Sequence, residues 1–114
     1  MLPKDSAFGI AVAGYRHRAK QAGLDFDLDQ DRIYQLFISS CYYCGMPPSN
    51  LAINPRWGTE FEYSGIDRLD NSKGYIESNC VACCSMCNMA KNNHTVEEFA
   101  EWVIDVHNHF IEVG

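Results

Sequence analysis

The sequence is short of basic charge. Nine lysines and arginines stand against fifteen aspartates and glutamates, a formal net of −6 with a pI near 5.0. That balance excludes a chain coated evenly in positive charge for nucleic acid. Long apolar runs are also missing. The longest spans Ala7 to Gly14, far below the roughly 20 residues that a bilayer-crossing helix needs, so no membrane partner is expected. The basic cluster Arg16, Arg18 and Lys20 follows this stretch instead of preceding it, which argues against a secretory signal. Internal repeats and low-complexity tracts are absent, which excludes solenoids and long disordered linkers.

What remains is an ordinary foldable composition, 46% hydrophobic and 21% charged over 114 residues, the size of one small domain. Six cysteines in so short a chain need an explanation. With no export signal the expected compartment is the reducing cytoplasm. There cysteines serve metals or redox chemistry more often than disulfides.

Hydrophobic spacing predicts the elements. Asp5 or Ser6 can cap a first helix whose Phe8, Ala11, Val12, Tyr15 and Ala19 form one apolar stripe. Gly23 stops it. Residues 24–28 alternate apolar and acidic and read as a short extended segment. Asp29 can cap a second helix carrying Ile33, Leu36 and Phe37, ending near Ser39. Residues 45–59 hold three of the four prolines and read as a surface loop, with Trp57 turned to the core. Phe61, Tyr63 and Ile66 suggest a strand, Asp70 to Gly74 a turn, and Asn79 to Cys83 the returning strand. A short helix over 85–92 follows, its Met86 and Met89 read as packing. Thr95-Val96-Glu97-Glu98 is a capping box, opening a last helix with Phe99, Val103, Val106 and Phe110 on one face.

Cys41-Tyr42-Tyr43-Cys44-Gly45 and Cys84-Ser85-Met86-Cys87 are two C-x-x-C pairs. Together they supply four thiolates for one tetrahedral zinc. Cys80 and Cys83 form an overlapping C-x-x-C and compete for the second pair. Cys84 and Cys87 are favoured, because the other two fall where a buried strand is expected and cysteine packs there as a small apolar residue. A redox protein using these pairs is a third class, which one tightly bound zinc per chain would remove.

The stretch C-Y-Y-C-G, then G-I-D-R-L-D-N-S-K-G-Y-I-E-S-N, then C-S-M-C-N-M-A-K resembles the HNH endonuclease family, in its zinc-knuckle members common in phages and mobile elements. The upstream Y-R-H-R-A-K-Q-A-G-L-D-F-D-L is similar to the leader that often precedes such knuckles. The resemblance implies an α+β fold: a small ββα-metal core braced by a four-cysteine zinc knuckle, with flanking N- and C-terminal helices. One domain over 1–114 is expected, with a helical leader (1–40), the knuckle and core (41–92) and a C-terminal helix (93–114).

The implied activity is metal-dependent cleavage of phosphodiester bonds in double-stranded DNA, as an endonuclease or nickase. Cys41, Cys44, Cys84 and Cys87 would hold structural zinc. Asp67 would take the first-strand ligand position for Mg2+ or Mn2+, and Asn88 the helix ligand. Asn79 would brace the hairpin loop, and Lys91 would approach a phosphate. Most members have histidine directly after that aspartate as general base, whereas this chain has Arg68. Arginine cannot accept a proton at neutral pH. Asp70, a neighbouring strand residue, His94, or metal and solvent would have to replace the base, and Arg68 would clamp the phosphate. The alternative is a catalytically impaired zinc module that binds DNA or a protein partner. A two-strand cut from one site per chain would call for a homodimer or a larger assembly.

Summed by segment, the charge is uneven. Residues 1–23 carry four basic and one acidic residue; 24–62 carry two and six; 63–92 carry three and three; 93–114 carry none and five. The excess of acidity therefore lies mostly in the middle segment and the final helix, away from the candidate site.

Overall fold

The computed structural model describes residues 6–111. Helix α1 (Ala7–Gln21) is capped by Ser6, whose side chain accepts from the Gly9 N–H; Asp5, the other candidate cap, lies outside the described residues. Gly23 follows the helix with φ +69°, a left-handed conformation that glycine adopts without a Cβ clash. The extended segment contains β1 (Phe26–Asp27), and Asp29 caps α2 (Gln30–Ile38) by accepting from the Arg32 N–H at 2.7 Å.

Among the described residues, six strands make three two-stranded ribbons. β2 (Asn50–Asn54) pairs antiparallel with β3 (Thr59–Tyr63). β4 (Gly65–Arg68) pairs antiparallel with β6 (Cys80–Cys83), Asp67 opposite Val81 and Arg68 opposite Cys80. β5 (Tyr75–Ile76) pairs parallel with β1 and leads through a single 3-10 turn, Glu77–Asn79, into β6. Helix α3 (Ser85–Lys91) follows β6 directly, so β4, β6 and α3 form a ββα unit. Helix α4 (Val96–Val106) opens on the Thr95 capping box, both reciprocal hydrogen bonds in place, and continues as a π-helical segment, His107–Ile111.

The main core gathers Phe8 and Ala11 of α1, Ile33, Leu36 and Phe37 of α2, Ala52, Ile66 and Cys80. Phe37 sits at its centre with edge and tilted ring contacts to Phe8 (5.8 Å) and Tyr63 (4.9 Å). Gly65 matters for the site's position. A Cβ there would lie 2.8 Å from the Tyr15 hydroxyl, and this close approach lets Tyr15 accept the Ile66 N–H at 3.0 Å. Helix α1 is thereby tied to the strand that carries Asp67.

Four expectations are corrected. Residues 50–54 are a strand, not loop: Ala52 and Asn54 face inward while Leu51 and Ile53 face out, so the outward apolar residues hid the alternation. Trp57 is 60% exposed at the tip of that hairpin, with the Arg56 guanidinium 5.0 Å from its ring. Met86 and Met89 are exposed, because α3 presents that side to solvent. On α4 only Phe99 of the predicted apolar face is buried; Val103, Val106 and Phe110 are exposed, since no other described element covers them.

Candidate functional site

The knuckle is built by a turn after α2. Cys41 N–H donates to Met46 O at 2.8 Å, Gly45 N–H donates to Cys41 O at 2.9 Å, and Gly45 itself takes φ +78°. Tyr42 N–H donates to Ala82 O at 2.8 Å, which fastens the turn to β6. Cys84 is the N-cap of α3, and Cys87 lies in its first turn.

The sulfurs of Cys41, Cys44, Cys84 and Cys87 all lie within 4.8 Å of one another, and Cys44 and Cys84 are 3.6 Å apart. Sulfurs around a tetrahedral zinc with bonds of ~2.3 Å are separated by roughly 3.8 Å. The four therefore fit such an ion. Burial opposes ionisation of the Cys41 thiol, but hydrogen bonds from the backbone of Cys84, Cys44 and Tyr43 prevail and bring it down to about 6. Cys80 is elsewhere, packed in the main core, where burial raises its thiol to about 11. Cys83 is buried beside the cluster, and burial pushes its thiol well up.

A polar cleft of about 310 Å³ opens beside the knuckle, lined by Tyr15, Ile66, Asp67, Arg68, Asn71, Tyr75, Asn88, Met89, Asn92 and Asn93. Asp67 of β4 and exposed Asn88 of α3 both line it. Asp67 is 6% exposed. Its Oδ2 accepts from the Tyr43 hydroxyl at 2.6 Å and from the Lys91 ammonium at 3.2 Å. Burial and then the Asp67 carboxylate raise the Tyr43 phenol far above its ordinary value, so its proton stays on.

Asn79 closes the loop between β4 and β6. Its Oδ1 accepts the Asp70 N–H at 2.8 Å, and its Nδ2 donates to Asp70 O and Gly74 O, both at 3.0 Å. Arg68 Nη1 donates to Asn71 O (2.8 Å) and Lys73 O (2.9 Å), with its guanidinium 5.5 Å from the centre of the Tyr75 ring. Asn71 in turn donates to Asn93 O at 2.9 Å and links the loop to the end of α3. Asp70 is exposed and accepts from the Ser72 hydroxyl (2.6 Å) and N–H (2.9 Å), which hold its carboxyl below the ordinary value.

Two sequence assignments change. Lys91 is 0% exposed; its ammonium meets Asp67 and, at 3.3 Å, Arg68 O, so it braces the site from beneath and does not face a phosphate in the cleft. His94 is exposed, its ring 3.8 Å from Glu98 in a hollow with Phe99 and Trp102, and it is not among the residues lining the cleft. No histidine lines it among the described residues. Tyr43 was missed by sequence reasoning; its only signal was a hydroxyl-bearing ring lodged between two metal-ligand candidates.

The ββα unit, the adjoining cysteine cluster and the flanking helices define a nuclease-like fold of the HNH kind. Among solved structures the chain is similar to the HNH restriction endonuclease PacI, with a TM-score of 0.64 and 21% identity, covering 94% of this chain and 81% of that one. The published description of PacI is of a rare cutter that perturbs DNA. No family model matches the chain. An uncharacterised protein of Acanthamoeba polyphaga mimivirus is 40% identical over 96 residues, 84% of this chain. A 29.0 kDa uncharacterised protein of Enterobacteria phage T4, from the dda–modA intergenic region, is 32% identical over 84 residues, 73% of this chain. The match spans 16% of the mimivirus protein's length and 31% of the phage protein's. No described helix is long and apolar enough to cross a membrane.

Proposed function

We propose that the chain is a DNA endonuclease or nickase module with zinc in the Cys41, Cys44, Cys84 and Cys87 cluster and Mg2+ or Mn2+ in the cleft. The observation that carries this reading is that Asp67 and Asn88 share one polar cleft beside the cysteine cluster. One carboxylate and one amide oxygen are hard donors that leave room for waters and substrate, which suits these ions. When bound, the ion would polarise the scissile phosphate and stabilise the leaving oxygen.

The chain's own contribution is placement and charge. Asp67 and Asn88 hold the ion, Asn79 keeps the loop closed, and Arg68 sits at the cleft wall where its remaining N–H groups can meet a phosphate. No histidine lines the cleft among the described residues, so the proton of the attacking water would pass to solvent. Viral relatives fit a module working in the cytoplasm of a host cell, alone, as a homodimer or within a longer protein.

The test is nicking of supercoiled plasmid. The wild-type chain should give open-circular product with Mg2+ or Mn2+ and none with chelator, and Asn88→Ala, on an exposed position, should abolish it without unfolding. The absence of histidine from the cleft favours a second reading, a DNA-binding module without catalysis. Salt-sensitive binding with no product under any divalent ion would establish that reading instead.

A further inference from the structure

The second C-x-x-C pair and the cleft are adjacent in sequence, but the first pair is not. A side chain of the first pair's own turn nonetheless reaches the carboxylate in the cleft. Tyr43 lies between Cys41 and Cys44, and its ring packs edge-on against Phe99 (5.4 Å) and Tyr42 (5.2 Å). Its hydroxyl reaches 24 residues along the chain to Asp67 Oδ2 at 2.6 Å. The backbone on either side of it is fastened by the knuckle's own hydrogen bonds, Tyr42 N–H to Ala82 O and Gly45 N–H to Cys41 O.

We propose that Tyr43 is a positioning residue. Set by the knuckle, its hydroxyl pins one oxygen of Asp67 and so aims the other at a divalent ion in the cleft, coupling the cysteine cluster to the ion site. The inference rests on the reading of Asp67 and Asn88 as ion ligands.

The physics is that of an outer partner orienting a metal ligand. A free aspartate loses rotamer entropy when it binds an ion, and a carboxylate already held in one rotamer loses less. Lys91 and Tyr43 divide the work. The ammonium at 3.2 Å neutralises the buried carboxylate, but a point charge fixes its rotation weakly. The phenol donates one short, directional, charge-assisted bond. Removal of such partners typically weakens metal binding or activity about 10–100-fold.

Two measurements test this. In the first, Mn2+ binding to the zinc-loaded chain is followed by electron paramagnetic resonance of free Mn2+. Tyr43→Phe keeps the ring and its packing and removes only the hydroxyl. It should bind Mn2+ about tenfold more weakly while retaining one zinc per chain, and nicking should need correspondingly more Mn2+ at unchanged maximal rate. Wild-type affinity in Tyr43→Phe would overturn the proposal. The second needs no variant. Titration of the wild-type chain with Mg2+, followed by nuclear magnetic resonance, should move the Tyr43 ring signals with the same midpoint as the Asn88 side-chain amide. Asn88 signals that move while Tyr43 stays still would refute the coupling alone. Signals that move at neither residue would refute the ion site itself, and the coupling with it.

Discussion

Removing the Asp67 carboxylate should take away much of the protein's stability along with any activity. The Lys91 ammonium is 0% exposed and has two partners, Asp67 Oδ2 at 3.2 Å and Arg68 O at 3.3 Å. Asp67→Ala leaves a buried cation facing one carbonyl. Breaking such a pair from one side costs about 3–5 kcal/mol, a large part of the roughly 5–15 kcal/mol that holds a domain together. At about 4 °C per kcal/mol for a chain of this size, the zinc-loaded variant should melt about 12–20 °C below wild type by circular dichroism. Lys91→Met should be damaging too, because it leaves a buried carboxylate with only the Tyr43 hydroxyl. The double variant Asp67→Leu/Lys91→Met removes both charges and should recover most of the loss, since apolar replacement of a whole buried pair is often neutral. Its deficit should fall about 2 kcal/mol or more short of the Asp67→Leu and Lys91→Met losses added together. Additive losses, or an Asp67→Ala melting point within about 2 °C of wild type, would refute the argument. A nicking defect in Asp67→Ala alone is therefore ambiguous, which is why Asn88→Ala is the better catalytic control.

Other outcomes follow from single contacts. Cys80→Ala should retain one zinc by elemental analysis and cost only about 1 kcal/mol, as a small core truncation does, whereas Cys84→Ser should lose the metal, because only Cys84 belongs to the four-sulfur cluster. Asn79→Ala breaks three hydrogen bonds of the loop, at 2.8, 3.0 and 3.0 Å; about 2–3 kcal/mol of stability and the hydrogen-exchange protection of the Asp70 amide should go with it. The Thr95 backbone N–H holds the exposed Glu98 carboxyl below its ordinary value. A lowered folded pKa means the capping contribution is complete above the usual glutamate range and is lost as pH falls through the lowered value. Glu98→Gln should accordingly flatten the acid limb of the melting curve, seen as a smaller drop between pH 6 and roughly pH 3.

Caps, turns and cysteine spacing were legible because each is local. Ser6, Asp29 and Thr95 all accept the N–H groups that their positions in the sequence suggested. Cys84 and Cys87 could be favoured over Cys80 and Cys83 because strand position predicts burial of the latter, and the sulfurs that cluster are those of Cys41, Cys44, Cys84 and Cys87. The parts that were not legible depend on contacts between distant segments. β2 was hidden because its inward residues are Ala52 and Asn54, so no apolar alternation marks it. Lys91 reads as a surface helix cation until β4 places a carboxylate beneath it. Tyr43 meets Asp67 only through tertiary folding. The last helix shows the converse. Spacing marked an apolar face over Phe99, Val103, Val106 and Phe110, but it could not say that only Phe99 of the four would be buried.

The chain's acidity and an anionic substrate are compatible because of where the charges fall and which are already neutralised. Residues 63–92 carry three basic and three acidic side chains, and the final 22 residues carry five acidic ones and no basic ones. Within the site, Asp67 is cancelled by Lys91 in a buried pair, so the cleft wall without an ion has little beyond Arg68 to attract a phosphate. The exposed Arg16, Arg18 and Lys20 of α1 add further cations, the Arg18 guanidinium lying 4.5 Å over the ring of Tyr15, which lines the cleft. A protein relying on about three such contacts should bind duplex DNA weakly, with a log K against log salt slope near −3. On the proposed reading, a divalent ion in the cleft would add two positive charges where a phosphate would lie. Affinity measured by fluorescence anisotropy should therefore rise when Ca2+ replaces chelator, and Asn88→Ala should erase the rise while leaving the chelator value unchanged. Equal affinity with and without the ion would mean that DNA is held elsewhere on the chain, and that the cleft is not where the phosphate enters.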